Sequence, residues 1–231
     1  VRGLSRQGSL EFLALLLLTD LTIIGIHTAA YILYIDTPPS YWSIAADRSF
    51  GETFQYIKEL WLVFSFAMLT RIRSNWLYGS LSLLCCYLFL DDLFLIHERV
   101  GEMIALNFNF QPMFKLRAID YGELIVNAIA GSFFAVLIGS SYWRGSRAFR
   151  QVCYRVLVLL GGVVFCGIVL DVLHIIVTTL YPRLYSAFDL LEDGGEMLFM
   201  SVLCWYGISL IKQQEKVVQQ PELELPLQRK G

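Results

Sequence analysis

Residues 88–99 read Leu-Phe-Leu-Asp-Asp-Leu-Phe-Leu-Ile-His-Glu-Arg, which places three carboxylates, an imidazole and a guanidinium in a run otherwise apolar enough for a bilayer. A charge at the bilayer centre costs roughly 2.5–3.5 kcal/mol on insertion scales. Such groups therefore face a protein interior, a water-filled cavity or a bound cation. Two later stretches have the same character, Asp171-Val-Leu-His174 and Glu192-Asp193-Gly194-Gly195-Glu196. On a helix, Asp171 and His174 share a face at i,i+3 and Glu192 and Glu196 at i,i+4. Asp91, Glu98 and Glu102 form one stripe, and Asp92 and His97 each lie about 100° off it.

Imidazole and carboxylate donors converging from different helices are what a zinc or iron centre requires. The candidate ligands are His97, Asp171, His174, Glu192 and Glu196. Asp91, Asp92 and Glu98 are the candidate catalytic carboxylates, as a further ligand or as general base. The expected cofactor is thus a divalent metal ion, zinc or iron. Other chemistries lack their residues. There is no Glu-x-x-His pair of the carboxylate-bridged di-iron kind, no HExxH, no GxGxxG, no P-loop and no serine elbow. The five cysteines lie in apolar runs without a CxxC spacing and read as packing residues.

These residues must be positioned by membrane helices. Of the 231 residues, 56% are hydrophobic and 16% charged, and the mean hydropathy is +0.58. Soluble domains run nearer 45–50% apolar and about 25% charged. Apolar runs of bilayer length predict an all-α polytopic membrane protein with six spans, at about 9–34, 55–70, 76–100, 120–143, 153–180 and 186–211. They pair into three antiparallel hairpins in one domain, 1–211, followed by a flexible tail, 212–231. The first run is too long for a signal-peptide core and reads as a retained span. Residues 104–118 interleave Phe108, Phe110, Met113 and Phe114 with Lys115 and Arg117, as a connection lying at the interface would, and are a candidate lid or lipid entrance.

Charge orients the bundle. Twelve of the 18 Lys and Arg fall on the side holding the N-terminus, the 71–75 loop, the 144–155 loop and the tail, so both termini are expected in the cytoplasm. The expected location is a bacterial inner membrane. Fifteen of the 20 acids fall in the other half, with six bases for company. Protons, metal ions or a cationic partner must offset the excess. All three histidines, His27, His97 and His174, lie at that depth. The hairpins also share a pattern. Asp precedes His on each first helix (Asp20/His27, Asp91/His97, Asp171/His174), and Gly-Glu opens each second one (Gly51-Glu52, Gly122-Glu123, Gly195-Glu196).

The function these features favour is a metal-dependent membrane enzyme acting near the outer face. The alternatives are a cation- or proton-linked transporter or sensor, and a non-catalytic subunit of a larger membrane complex. The expected partners are the lipid bilayer and a second copy or a larger membrane complex. Nucleic acid is not among them, because topology already accounts for the basic loops.

Overall fold

A computed structural model describes residues 2–34, 39–181 and 184–219, with side chains for 10–33, 39–181 and 184–213. The described residues are helical almost throughout, with no strand beyond an isolated bridge between Met113 and Leu116. Helix α1 (Arg2–Tyr34) is followed by a short 3-10 turn (Ser40–Trp42) and α2 (Phe50–Ile72). Helix α2 starts five residues before the expected span because Ser49 caps it. The Ser49 hydroxyl accepts from the Glu52 N–H at 3.2 Å, and the Glu52 carboxylate accepts from the Arg48 N–H.

The expected third span, 76–100, is two helices rather than one. Helix α3 (Leu77–Phe94) ends at Leu95, which adopts the left-handed conformation (φ 52), and α4 (Ile96–Asn107) begins at once. A non-glycine residue there costs roughly 1–2 kcal/mol. Asp91 offsets that cost, since its carboxylate accepts from the His97 N–H at 2.9 Å and so satisfies a free donor at the start of α4. The break also means that Asp91, Glu98 and Glu102 do not share one helical stripe. Helix α4 takes up residues 96–107, so the irregular connection expected over 104–118 shrinks to 108–117. There Asn109, Phe114 and Lys115 have positive φ.

Helix α5 (Ala118–Arg144) is held at its start by Asp120, which accepts from the Arg117 N–H at 2.6 Å and from its Nε at 2.9 Å. Helices α4 and α5 cross with their backbones almost touching. A Cβ at Gly122 would lie 2.0 Å from the Gly101 carbonyl oxygen. Helix α6 (Arg147–Val164) is capped by Ser146, whose hydroxyl accepts from the Phe149 N–H at 3.3 Å. The long basic loop expected over 144–155 is therefore a two-residue turn, with Arg147, Arg150 and Arg155 on the helix. A π-helical segment (Phe165–Leu170) links α6 to α7 (Asp171–Leu180). Helix α8 (Tyr185–Gln219) passes beyond the expected end at 211, because 212–219 is rich in Lys, Gln and Glu, which are good helix formers. Of the expected flexible tail, 220–231 lies outside the described residues. So do 35–38 and 182–183.

Helices α2 and α8 pack at the centre, with α1, α3 and α6 against them. Between them Leu62, Phe66, Leu69, Leu81 and Leu203, with Tyr78 and Phe149, form a sealed apolar core. This core fills the half of the bundle whose end carries Arg73, Arg150 and Arg155. The acids gather at the opposite end, around the α3–α4 break.

Among the described residues, five helical segments are long and apolar enough to cross a bilayer: Leu10–Leu33, Leu77–Phe94, Ala118–Arg144, Arg147–Leu180 and Tyr185–Gln213. Six were expected. Helix α2, with 23 residues, has the length but carries Glu52, Lys58 and Glu59, and it turns the last two inward, where they are buried. Many large apolar side chains point outward, such as Leu15, Phe133 and Val136 at 64%, 57% and 73% exposure. Such a surface suits hydrocarbon and would be an aggregation hazard in water.

Candidate functional site

The α3–α4 break builds the site. Because α3 stops at Leu95, the chain turns back on itself, and Asp91 can hold His97 both by its backbone N–H and by its ring. The Nδ1 to Oδ2 distance is 3.0 Å. That hydrogen bond lifts the His97 pKa to about 9, against the opposing effect of burial. Burial pushes Glu98 above the usual carboxylate range. Ligand atoms of Asp91, Asp92 and His97 all lie within 4.8 Å of one another, the group among the described residues with metal-site spacing.

Two adjoining cavities open beside this group. One, of about 160 Å3, is lined by Asp47, Glu52, Asp92, Glu98, Asp193 and Glu196, with His97 and Gln55 and no Lys or Arg. The other, of about 730 Å3, shares Asp47, Leu95, His97 and Glu98 with it and adds Glu102, Glu123, Asp171, Glu192, Arg99 and Arg117. They form one acidic chamber in two parts. Ionised carboxylates 4 Å apart repel by about 4 kcal/mol at an effective dielectric of 20. Carboxylates that line so small a space favour a proton or a cation among them.

Its inner wall shows the same need. Glu59 and Asp92 bring two carboxyl groups together there, and like charges that close favour a shared proton or a cation. Gln55 donates to Glu196 at 3.4 Å. Gln55 Oε1 and Glu59 Oε2 are buried acceptors with no hydrogen-bond donor among the described residues. The π-helical segment brings a backbone close to this wall as well. A Cβ at Gly167 would lie 2.9 Å from Glu196 Oε2.

The eight candidate residues do not gather at one point. Asp92, His97, Glu98 and Glu196 line the smaller cavity, and Asp171 and Glu192 line the larger one with His97 and Glu98. Asp91 lies behind His97 and orients it. His174 is not among the lining residues of either part. Its Nδ1 pairs with Glu192 Oε2 at 2.8 Å, its Nε2 lies 3.7 Å from Asp189, and its ring packs against Tyr185 and Phe188, which clamps α7 to α8. His27 is fully buried and accepts from the Ile44 N–H at 3.2 Å, tying α1 to the loop before α2. Of the three histidines at this depth, His97 is the one in the metal-spaced group.

Residues 10–210 match the model of the family described as Domain of unknown function (DUF8692). The chain belongs to that family. No curated protein and no solved structure matches it.

Reasoning from sequence missed the groups that α2 contributes to this family member, Gln55, Lys58 and Glu59. The signal was present, since Lys58 and Glu59 are adjacent ionisable residues in an apolar run, which in a membrane segment marks a site. Lys58 anchors a second polar centre, deeper than the chamber. Its Nζ lies 3.1 Å from Asp20 Oδ1, 2.9 Å from the Met197 carbonyl and 3.2 Å from Ser201 Oγ, and it sits over the Phe54 ring. Ser201 in turn donates to Asp20. Lys58, Asp20 and Ser201 are all fully buried.

Proposed function

We propose that this is a six-span membrane protein whose acidic chamber holds a divalent metal ion of the zinc or iron class and uses it for hydrolytic chemistry near the outer membrane face. One observation carries the reading: a His–Asp–Asp group with metal-ligand spacing borders a cavity lined by six carboxylates and no Lys or Arg. Asp92 and His97 Nε2 supply the ligands, with Glu196 or Asp193 completing the set. Asp91 keeps the His97 ring in place through Nδ1, the arrangement in which a carboxylate fixes the tautomer and raises ligand basicity. A metal held there would supply Lewis-acid activation of water, and Glu98, which lines both parts of the chamber, is placed to act as general base. The charge asymmetry supports an outward-facing chamber, both termini inside, in a bacterial inner membrane.

Metal analysis of the purified protein tests this. The expected result is about one zinc or iron per chain, reduced at least tenfold in Asp92→Asn and His97→Ala. Metal-free protein that takes up neither ion on titration overturns it. A cation- or proton-linked transporter is the second reading, favoured by the succession of Asp92, Glu59 and Lys58–Asp20 that carries ionisable groups from the chamber into the bundle. Proton uptake into proteoliposomes that is lost in Glu59→Gln would favour it over the enzyme.

A further inference from the structure

Asp91 has a second neighbourhood. On the side away from the chamber lies an apolar groove of about 600 Å3 between α3, α5 and α6, running from Asp91 and Asn127 at one end to Tyr142 and Tyr154 at the other. Small residues on α5 make the hollow. A Cβ added at Gly131 or Gly139 would meet nothing within 4 Å, so these glycines border open space rather than a tight helix crossing. From Asn127 to Tyr142 the groove follows α5 for about 22 Å, at about 1.5 Å per residue. One leaflet's share of a hydrocarbon core about 30 Å thick is shorter than that. The volume is in the range of ligand pockets, roughly 300–1,000 Å3. Leu84, Leu88, Phe134, Ile138, Leu157 and Val163 are among its lining residues, and they offer water no partner.

Among the spanning helices of this chain, hydrocarbon is the medium available to fill such a space. What separates the groove from ordinary lipid-facing surface is its end. There it meets a buried carboxylate that also holds His97, and His97 lines the acidic chamber. We infer that the groove binds one long hydrocarbon chain of a lipid whose polar end, a hydroxyl or an amine, reaches Asp91 and the chamber, so that the substrate class is a lipid. Charge selects the end group, because the Asp91 carboxylate at the end of the groove accepts hydrogen-bond donors and repels a terminal carboxylate or phosphate. The inference rests on the reading of the chamber as the reaction site.

The test uses the full-length protein in nanodiscs containing hexadecanol with a diazirine midway along its chain. After illumination, labelled positions are mapped by peptide mass spectrometry. Labelling is expected to concentrate on α5 around 131–139 and on α3 around 84–88. It should exceed that of the matching diazirine hexadecanoic acid at least fivefold at equal mole fraction. Gly131→Phe should cut it at least tenfold with an unchanged unfolding temperature. Gly139→Leu, whose added Cβ also meets open space, serves the same purpose if the first variant folds poorly. Asp91→Asn should erase the preference for alcohol over acid. Labels spread evenly over the lipid-facing helices, or equal labelling by the acid, would overturn the inference. Repeating the experiment after chelation separates the two claims. Groove labelling without any metal uptake sinks the metal reading alone, and scattered labelling in metal-loaded protein sinks the lipid reading alone.

Discussion

The bundle holds charge in two ways. At Asp20, Lys58 and Ser201 one cation meets one anion in a fully buried pocket, and the ammonium has an oxygen from each of Asp20, Met197 and Ser201. In the chamber, six carboxylates border a space of about 160 Å3 with no Lys or Arg among them. The first centre is complete without anything from outside. The second is incomplete by charge and by two buried acceptors without donors among the described residues. Completeness separates a fastening from a receptacle: Lys58 ties α1, α2 and α8 together, whereas the chamber has been left for something else to neutralise.

The sharpest way to break this contrast is to unbalance the fastening. Lys58→Met leaves Asp20 buried without its cation and should cost about 3–5 kcal/mol of stability, with Asp20→Asn in the same chain recovering much of it. Unfolding measured in detergent checks this, and a loss below about 1 kcal/mol would mean that the centre is hydrated. Next in size is Gly122→Val. Its side chain would meet the Gly101 carbonyl, pushing α4 from α5 and moving Glu98 and Glu102 with it. A loss of about 1–3 kcal/mol is expected, together with weakened metal uptake. Neutralising the receptacle should do the reverse. Asp193→Asn and Glu196→Gln should leave the unfolding temperature unchanged or raise it, while metal affinity falls by about 10–100-fold.

A pH dependence is expected from His97 when no metal is bound. Its pKa in the folded protein, about 9, lies above the ordinary 6.5. The stabilisation is therefore present in full below about pH 6.5 and is lost as pH rises through 9. Metal-free wild-type protein should unfold at a lower temperature at pH 10 than at pH 6. Comparing that difference with the one in His97→Gln checks the assignment, because it should shrink there.

Much of the helical layout was legible because bilayer-length apolar runs leave few alternatives. The errors fell where local capping outweighed hydropathy. Ser49-x-x-Glu52 began α2 early, Ser146 began α6 early, and Leu95 ended α3 in mid-run because Asp91 was there to satisfy the start of α4. The acid-rich end was legible from counting charges. Its membership was not, since a one-dimensional pattern says which face a residue occupies but not which neighbour takes it. His174 and Glu192 share the right depth, yet they bind each other. Lys58 reads as one more base among six until its distance to Asp20 is known. The recurring Gly-Glu pairs likewise belong to different surroundings: Gly122 abuts Gly101, and Gly195 abuts Cys166.

The plug of Leu62, Phe66, Leu81 and Leu203 carries a consequence for traffic. These side chains close the way between α2, α3 and α8 toward the far end, so a water-soluble molecule in the chamber leaves by the mouth through which it came. For the enzyme proposed above, arrivals and departures would compete for one doorway, so turnover would slow as product accumulates on the chamber's own side and ignore what accumulates across the membrane. A lipid chain arriving sideways between α3 and α5 would escape that queue, because its route in does not cross the route by which a small, water-soluble product leaves.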